Sequence, residues 1–239
     1  MWVYIVIGIG VILLLLICFC LAIANFSFDN FKDKRDEAMR YRNSLNMTVL
    51  EFVQEIIANH LKGNLQIVTC GEYQDHFTVG TIALSPSTQS SNSLASFATV
   101  SHELGHAVQY EKGELTKHWQ RRKKNRILGK FFLPSMLIGV VLAILGLVSV
   151  LPFYVVYIGI ALFGVSFLIF LVAIYMKYLE IKIEKGASQY AIELLGEYLN
   201  EAELKICKEF LNSARLTYWG SLFRTMLGWT FLTKKDKMF

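Results

Sequence analysis

The sequence predicts a mainly α-helical membrane protein that carries a small β-sheet. Two charge-free stretches support the membrane part of that expectation. No charged residue precedes Asp29, and none lies between Lys130 and Lys177. Two short runs rich in β-branched or apolar residues, Leu65–Cys70 and Thr81–Leu84, support the sheet. Composition agrees with both. The 239 residues are 54% hydrophobic and 18% charged, with a mean hydropathy of +0.42. Soluble domains run at about 25% charged, so a disordered chain and an ordinary soluble enzyme are excluded.

The first element is the apolar run from Trp2 to about Ala24, long enough to cross a bilayer of roughly 30 Å. It lacks the basic leading segment of a secretory signal, and its apolar core is too long for one, so it reads as an uncleaved anchor. Asp29 to Arg42 is a mixed-charge, helical continuation. Thr48 and Glu51 have the spacing of a capping box. Leu50, Val53, Ile57 and Leu61 follow at helical spacing, and Gly63 supplies a stop. Leu65–Cys70 and Thr81–Leu84 read as two strands joined by the polar turn Gly71–His76. The serine-rich segment Ser85–Ser93 reads as a loop, and a helix follows from about Leu94 to Gly113.

Residues 131–176 are twice one span, interrupted at Ser149–Pro152, and predict a transmembrane helical hairpin of roughly 131–149 and 153–176. Residues 178–213 read as helical. Leu216–Leu232 reads as an interfacial or partly inserted helix, because Arg224 at its centre is costly inside a bilayer. The expected organisation is an anchor (1–28), a soluble part with the sheet (29–130), the hairpin (131–176), a helical part (177–215) and a C-terminal interfacial helix (216–239).

All basic residues fall in two segments, with 14 Lys and Arg against 11 acids in 29–130 and 10 against 8 in 177–239. This asymmetry puts both segments on the cytoplasmic side of the cell membrane. The run Arg121-Arg122-Lys123-Lys124-Asn125-Arg126 precedes a span, where basic residues face lipid headgroups. Elsewhere acids interleave with bases, so nucleic acid is not an expected partner. The four cysteines form no Cys-x-x-Cys pair and indicate neither a redox site nor a zinc ribbon.

The chemistry lies in His102-Glu103-Leu104-Gly105-His106. Residues four apart share a helix face, so both imidazoles can meet one metal ion, while Glu103 can reach a metal-activated water without being a ligand. Glu103 is then the general base in hydrolysis of a peptide bond. Phe97, Leu104 and Val108 form a separate apolar face, and Gly105 implies a close backbone approach. A catalytic zinc needs a third protein ligand. His60, His76 and His118 precede the hairpin; Glu180, Glu184, Glu193 and Glu197 follow it, and Glu180 and Glu184 share a face. Spacing alone does not choose among them.

The stretch Ala98–Gln109 around that motif resembles the zinc-dependent membrane peptidases of the YugP family. So does Glu184-Lys185-Gly186-Ala187-Ser188-Gln189-Tyr190-Ala191-Ile192-Glu193-Leu194-Leu195. The similarity extends over the anchor, Thr48–Glu51, Asp75-His76-Phe77, Ile82–Ser85 and the hairpin. It implies a zincin-like, gluzincin-type core in which Glu184, on a later helix, is the third ligand to one zinc ion per chain. Ser188 stands where more distant membrane gluzincins have Asp, and Gln189-Tyr190 replaces a basic pair expected of the family. The resemblance also implies that Thr81, Ile82, Ala83 and Leu84 form the edge strand that pairs with an extended polypeptide substrate, with His76 beside it. The expected function is a membrane zinc endopeptidase active at the cytoplasmic face. The alternative is a non-enzymatic membrane scaffold with a structural or vestigial zinc site, which would have no use for Glu103.

Overall fold

A computed structural model describes residues 2–61, 65–72 and 74–226, without the side chains of 2–7, 9, 10, 13, 14, 116–126, 129 and 224–226. It is mainly helical, with one small sheet. The elements are α1 (Trp2–Arg40), α2 (Val49–His60), β1 (Gln66–Thr69), β2 (His76–Thr78), β3 (Thr81–Leu84), α3 (Pro86–Gln89), α4 (Leu94–Glu111), α5 (Thr116–Leu147), α6 (Tyr154–Gly196) and α7 (Glu201–Met226). The described chain divides into two compact units: 2–26, 120–179 and 218–226 form one, and 27–119 and 180–217 the other.

The first unit is built on apolar helices. Three helices of the described chain are long and apolar enough to cross a membrane: Leu15–Arg40 within α1, Lys130–Leu147 within α5, and α6. The charge-free stretch forms two helices joined through Val148–Phe153, where Ser149 takes a φ of 60°. Small residues let these helices approach closely. A Cβ on Gly139 would lie 2.9 Å from the Gly159 carbonyl oxygen, and one on Gly159 would lie 2.5 Å from the Ala143 nitrogen. Ser166 Oγ donates to Ser135 Oγ at 2.8 Å, so this polar pair is satisfied within the apolar helices.

The described part of the C-terminal apolar segment continues α7, since Ser213, Ala214 and Arg215 are helical. Leu222 of α7 packs on Ala173 of α6, with Phe132, Phe170 and Trp219 around them. That contact gives the segment an apolar neighbour within the unit, which a composition-based reading does not see. Residues 227–232 and Gly63 lie outside the described residues, as do the side chains of His118, the run 121–126 and Arg224.

The second unit has the larger core. Thr48 caps α2 as expected: its hydroxyl accepts from Glu51 N at 3.3 Å, and Glu51 accepts from Thr48 N at 2.7 Å. Phe52 of α2 packs on Phe97 of α4 at 4.9 Å between ring centroids and edge-on to Tyr198 at 5.3 Å. Phe31 of α1 meets Phe210 of α7 at 5.5 Å. Together with Ile56, Leu94, Val100, Leu104 and Leu195 these side chains enclose the inner face of α4. Truncating a ring such as Phe52 to Ala in a core of this kind costs about 3–5 kcal/mol.

The sheet corrects the sequence reading in two ways. A third strand, β2, starts at the last residue of the expected turn and runs to Thr78, and its three residues are too few to show a period. The strand order is β1-β3-β2, with β1 parallel and β2 antiparallel to β3. Thr81, Ile82, Ala83 and Leu84 are therefore the central strand, paired on both sides, and Ile82, Ala83 and Leu84 are buried. They cannot pair with a substrate. The outer strand on the side of α4 is β2. The loop 85–93 also contains the short helix α3, capped by the Ser85 hydroxyl. Asp75 fixes the approach to β2 by accepting from Ser85 N and from Thr88 Oγ1, both at 2.6 Å.

Candidate metal centre

Helix α4 begins at Ser93, whose hydroxyl accepts from Ser96 N at 3.3 Å. One side of the helix, Leu94, Phe97, Ala98, Val100 and Leu104, is fully buried in the core. The opposite stripe carries Ala95, Thr99, His102, Glu103 and His106, residues three or four apart. Glu184 reaches that stripe from α6. The crossing is tight because Gly105 has no side chain: a Cβ there would lie 2.2 Å from the Ala187 carbonyl oxygen. The close approach inferred from Gly105 is thus directed at α6.

His102 and His106 turn their Nε2 atoms to the same carboxylate oxygen. Glu184 Oε2 lies 3.1 Å from His102 Nε2 and 3.3 Å from His106 Nε2. The two imidazoles stand edge to face, at 80° with centroids 4.7 Å apart. His102, His106 and Glu184 offer one ligand atom each, all within 4.8 Å of one another. Among the described residues this is the one such cluster of three.

The donor set fits zinc. Two imidazole nitrogens and a carboxylate oxygen are a known catalytic zinc set, with bonds of about 2.0–2.2 Å. Tetrahedral bonds of that length put neighbouring ligand atoms roughly 3.3 Å apart. The distances of 3.1 and 3.3 Å between the acid and the two imidazoles match that spacing.

Electrostatics bind the three groups together. Burial disfavours the charged form of Glu184, but hydrogen bonds from His102 and His106, with their charge, hold its carboxyl well below the usual range. Burial likewise lowers the pKa of His106. The Glu184 carboxylate overcomes this, helped by Glu103 and by a hydrogen bond to Gln109, and raises it to about 9.

Glu103 is half-buried on the same stripe, and its Oε2 accepts from Phe77 N at 2.7 Å. The Phe77 N–H points away from β3, so the outer backbone edge of β2 faces Glu103. His76, at the start of β2, is exposed, and its Nδ1 lies 2.5 Å from the Gln74 carbonyl oxygen. A cavity of about 690 Å³ opens beside Asp75 and Thr99, one helical turn before Glu103, with Phe31, Arg35, Met39 and Phe210 in its wall.

The other candidate ligands fall elsewhere. Glu180 is buried one turn before Glu184 but is not in the cluster. His60 Nε2 pairs with Glu197 Oε2 at 3.5 Å, and Glu193 is exposed. The Tyr190 hydroxyl accepts from Lys112 Nζ at 2.8 Å, in a pair of its own. Ser188 Oγ lies 3.2 Å from His102 Nδ1, so a hydroxyl takes the place where an aspartate was expected of distant relatives.

Two participants escaped the sequence reading. Phe77 acts through its backbone, which no residue type reveals. Gln109, 1% exposed, puts Oε1 3.0 Å from His106 Nδ1. Its signal was a glutamine three residues past the second histidine, at the spacing that puts it beside that ring.

A family model described as "putative neutral zinc metallopeptidase" matches residues 11–232. No curated protein matches the chain, and no solved structure does.

Proposed function

Because the chain belongs to the family described as "putative neutral zinc metallopeptidase", we propose that it is a membrane-bound zinc endopeptidase. His102, His106 and Glu184 would hold one zinc ion per chain, and Glu103 would be the general base. The observation that carries this reading is the convergence of both imidazoles on Glu184 Oε2, with Glu103 on the same helix stripe and outside the ligand set.

Zinc held there supplies a Lewis acid that makes a water more acidic and polarises a peptide carbonyl. The protein's own groups do the rest. Glu103 takes the proton of the attacking water and passes it to the leaving amine, a contribution of about 10²–10⁴ in rate. The outer edge of β2, not β3, offers backbone groups to an extended peptide. A peptide along His76–Thr78 would lie beside Glu103, and its flanking residues have room in the cavity at Thr99. Main-chain pairing binds polypeptides with little side-chain selectivity. In this reading Phe77 N–H is held by Glu103 until a substrate carbonyl takes it over.

The three apolar helices support a multi-pass location in the cell membrane, with the lipid bilayer as a partner. Reading 131–176 as a transmembrane hairpin gives two crossings between His106 and Glu184, which keeps the ligands on one side. The basic segments favour the cytoplasm as that side. The zincin-like core and its mechanism are tested by casein cleavage with detergent-purified protein. Wild type should cleave, lose activity to a chelator and regain it with zinc. Glu103→Gln should bind zinc and cleave at least about 100-fold more slowly. Equal, chelator-insensitive cleavage by both proteins would reject the mechanism.

A further inference from the structure

Gln109 does something that the ligand set and the base do not account for. Its side chain is 1% exposed, yet it is polar and sits where α4 crosses α6. Its Nε2 donates to the Ile183 carbonyl oxygen at 2.8 Å, and its Oε1 lies 3.0 Å from His106 Nδ1. A carbonyl only accepts, so the amide nitrogen must face Ile183, and the oxygen is left to face His106. That oxygen also only accepts. His106 Nδ1 must then carry the proton, and the Nε2 that points at Glu184 is the nitrogen left with a free lone pair in the neutral ring.

The contrast with His102 sharpens this. Its Nδ1 faces the Ser188 hydroxyl at 3.2 Å, and a hydroxyl can donate or accept, so it imposes no tautomer. The orienting task at His106 is done by an amide that can be read only one way. Space for that amide is provided from α6: a Cβ on Gly186 would lie 2.6 Å from Gln109 Nε2. Glycine at 186 and glutamine at 109 therefore belong together.

We propose that Gln109 is a positioning residue of the metal centre, which anchors on the Ile183 carbonyl and fixes His106 with Nδ1 protonated and Nε2 presented for the metal. The proposal rests on the reading of His106 as a zinc ligand. Partners of this kind fix ring orientation, and losing one costs about 10–100-fold in metal affinity.

The test is zinc affinity by competition with a chelating dye, together with ¹⁵N NMR of the imidazoles in the zinc-loaded protein. Gln109→Leu removes both bonds. It should weaken zinc binding about 10–100-fold and lose the slowly exchanging Nδ1–H of His106. Gln109→Glu keeps the oxygen acceptor for His106 Nδ1 but loses the donor to the Ile183 carbonyl, so it should retain that proton and lose less affinity than Gln109→Leu. Gly186→Ala, which pushes on the amide from the other helix, should weaken binding without altering Gln109 itself. If Gln109→Leu does not fold, the Gln109→Glu and Gly186→Ala pair decides. Wild-type affinity with an unchanged His106 signal in Gln109→Leu would overturn the proposal, as would equal losses in Gln109→Leu and Gln109→Glu. Absence of zinc binding by wild type would instead overturn the zinc-site reading, and this proposal with it.

Discussion

A single carboxylate sets the chemistry of the centre. Glu184 is 2% exposed and faces two imidazoles, so in the metal-free protein it holds a proton on His106. The His106 pKa rises from 6.5 to about 9. Its pairing therefore stabilises the fold fully below pH 6.5 and is lost as pH rises through 9. The Glu184 carboxyl falls well below its usual 4.5, so its contribution is present above 4.5 and is lost as pH falls through the lowered value. The pair acts most strongly between these limits. The stability advantage of metal-free wild type over Glu184→Gln should peak near pH 5–6 and shrink toward pH 9, as read by thermal melts. Zinc bound through His106 Nε2, as proposed, would displace the proton on that nitrogen. Calorimetry at pH 7–8 in buffers of different ionisation enthalpy should show about one proton released per zinc bound, and no release would contradict the assigned pairing. Ser101 offers a separate check. Its Oγ is fully buried without a hydrogen-bond partner, and an unsatisfied group of this kind costs about 1–3 kcal/mol. Ser101→Ala should raise the unfolding free energy by about 1 kcal/mol; a loss of stability would show that the hydroxyl is satisfied in solution.

At the scale of elements, the crossing of α4 and α6 matters more than either helix alone. Gly105 lies against the Ala187 carbonyl, and any Cβ there forces the helices apart. Gly105→Ala should cost about 1–3 kcal/mol from overpacking despite the better helix propensity of alanine, and should lower zinc affinity because Glu184 moves with α6. Stability gained together with unchanged zinc binding would contradict the crossing. The sequence made this element legible to a useful degree. The box at Thr48 and Glu51, helix α4 and its paired histidines were all readable, because each rests on local spacing. The centrality of β3 was not, since strand order is a long-range property and β2 is only three residues long. Gln109 was hidden for a related reason. Its role depends on the Ile183 carbonyl, 74 positions along the chain.

For the whole molecule, the charge-free stretch 131–176 takes on a meaning beyond composition. It separates His106 from Glu184 in sequence, and as a hairpin with two crossings it would return the third ligand to the side of the first two. Neither charge patterning nor periodicity names Glu184 over Glu180, because both lie on one helix face. Resemblance favoured Glu184, and the geometry brings it alone of the two into the cluster. On the proposed function, the outer edge of β2 would offer an extended peptide a place beside this centre, where Phe77 N–H donates to Glu103. The most direct test of a centre built from α4 and α6 is the zinc content of purified wild type, Glu184→Ala and Glu180→Ala, with folding checked by circular dichroism. Wild type and Glu180→Ala should hold about one zinc per chain, as a single catalytic site requires, and Glu184→Ala should hold almost none. Zinc retained in Glu184→Ala and lost in Glu180→Ala would contradict that centre.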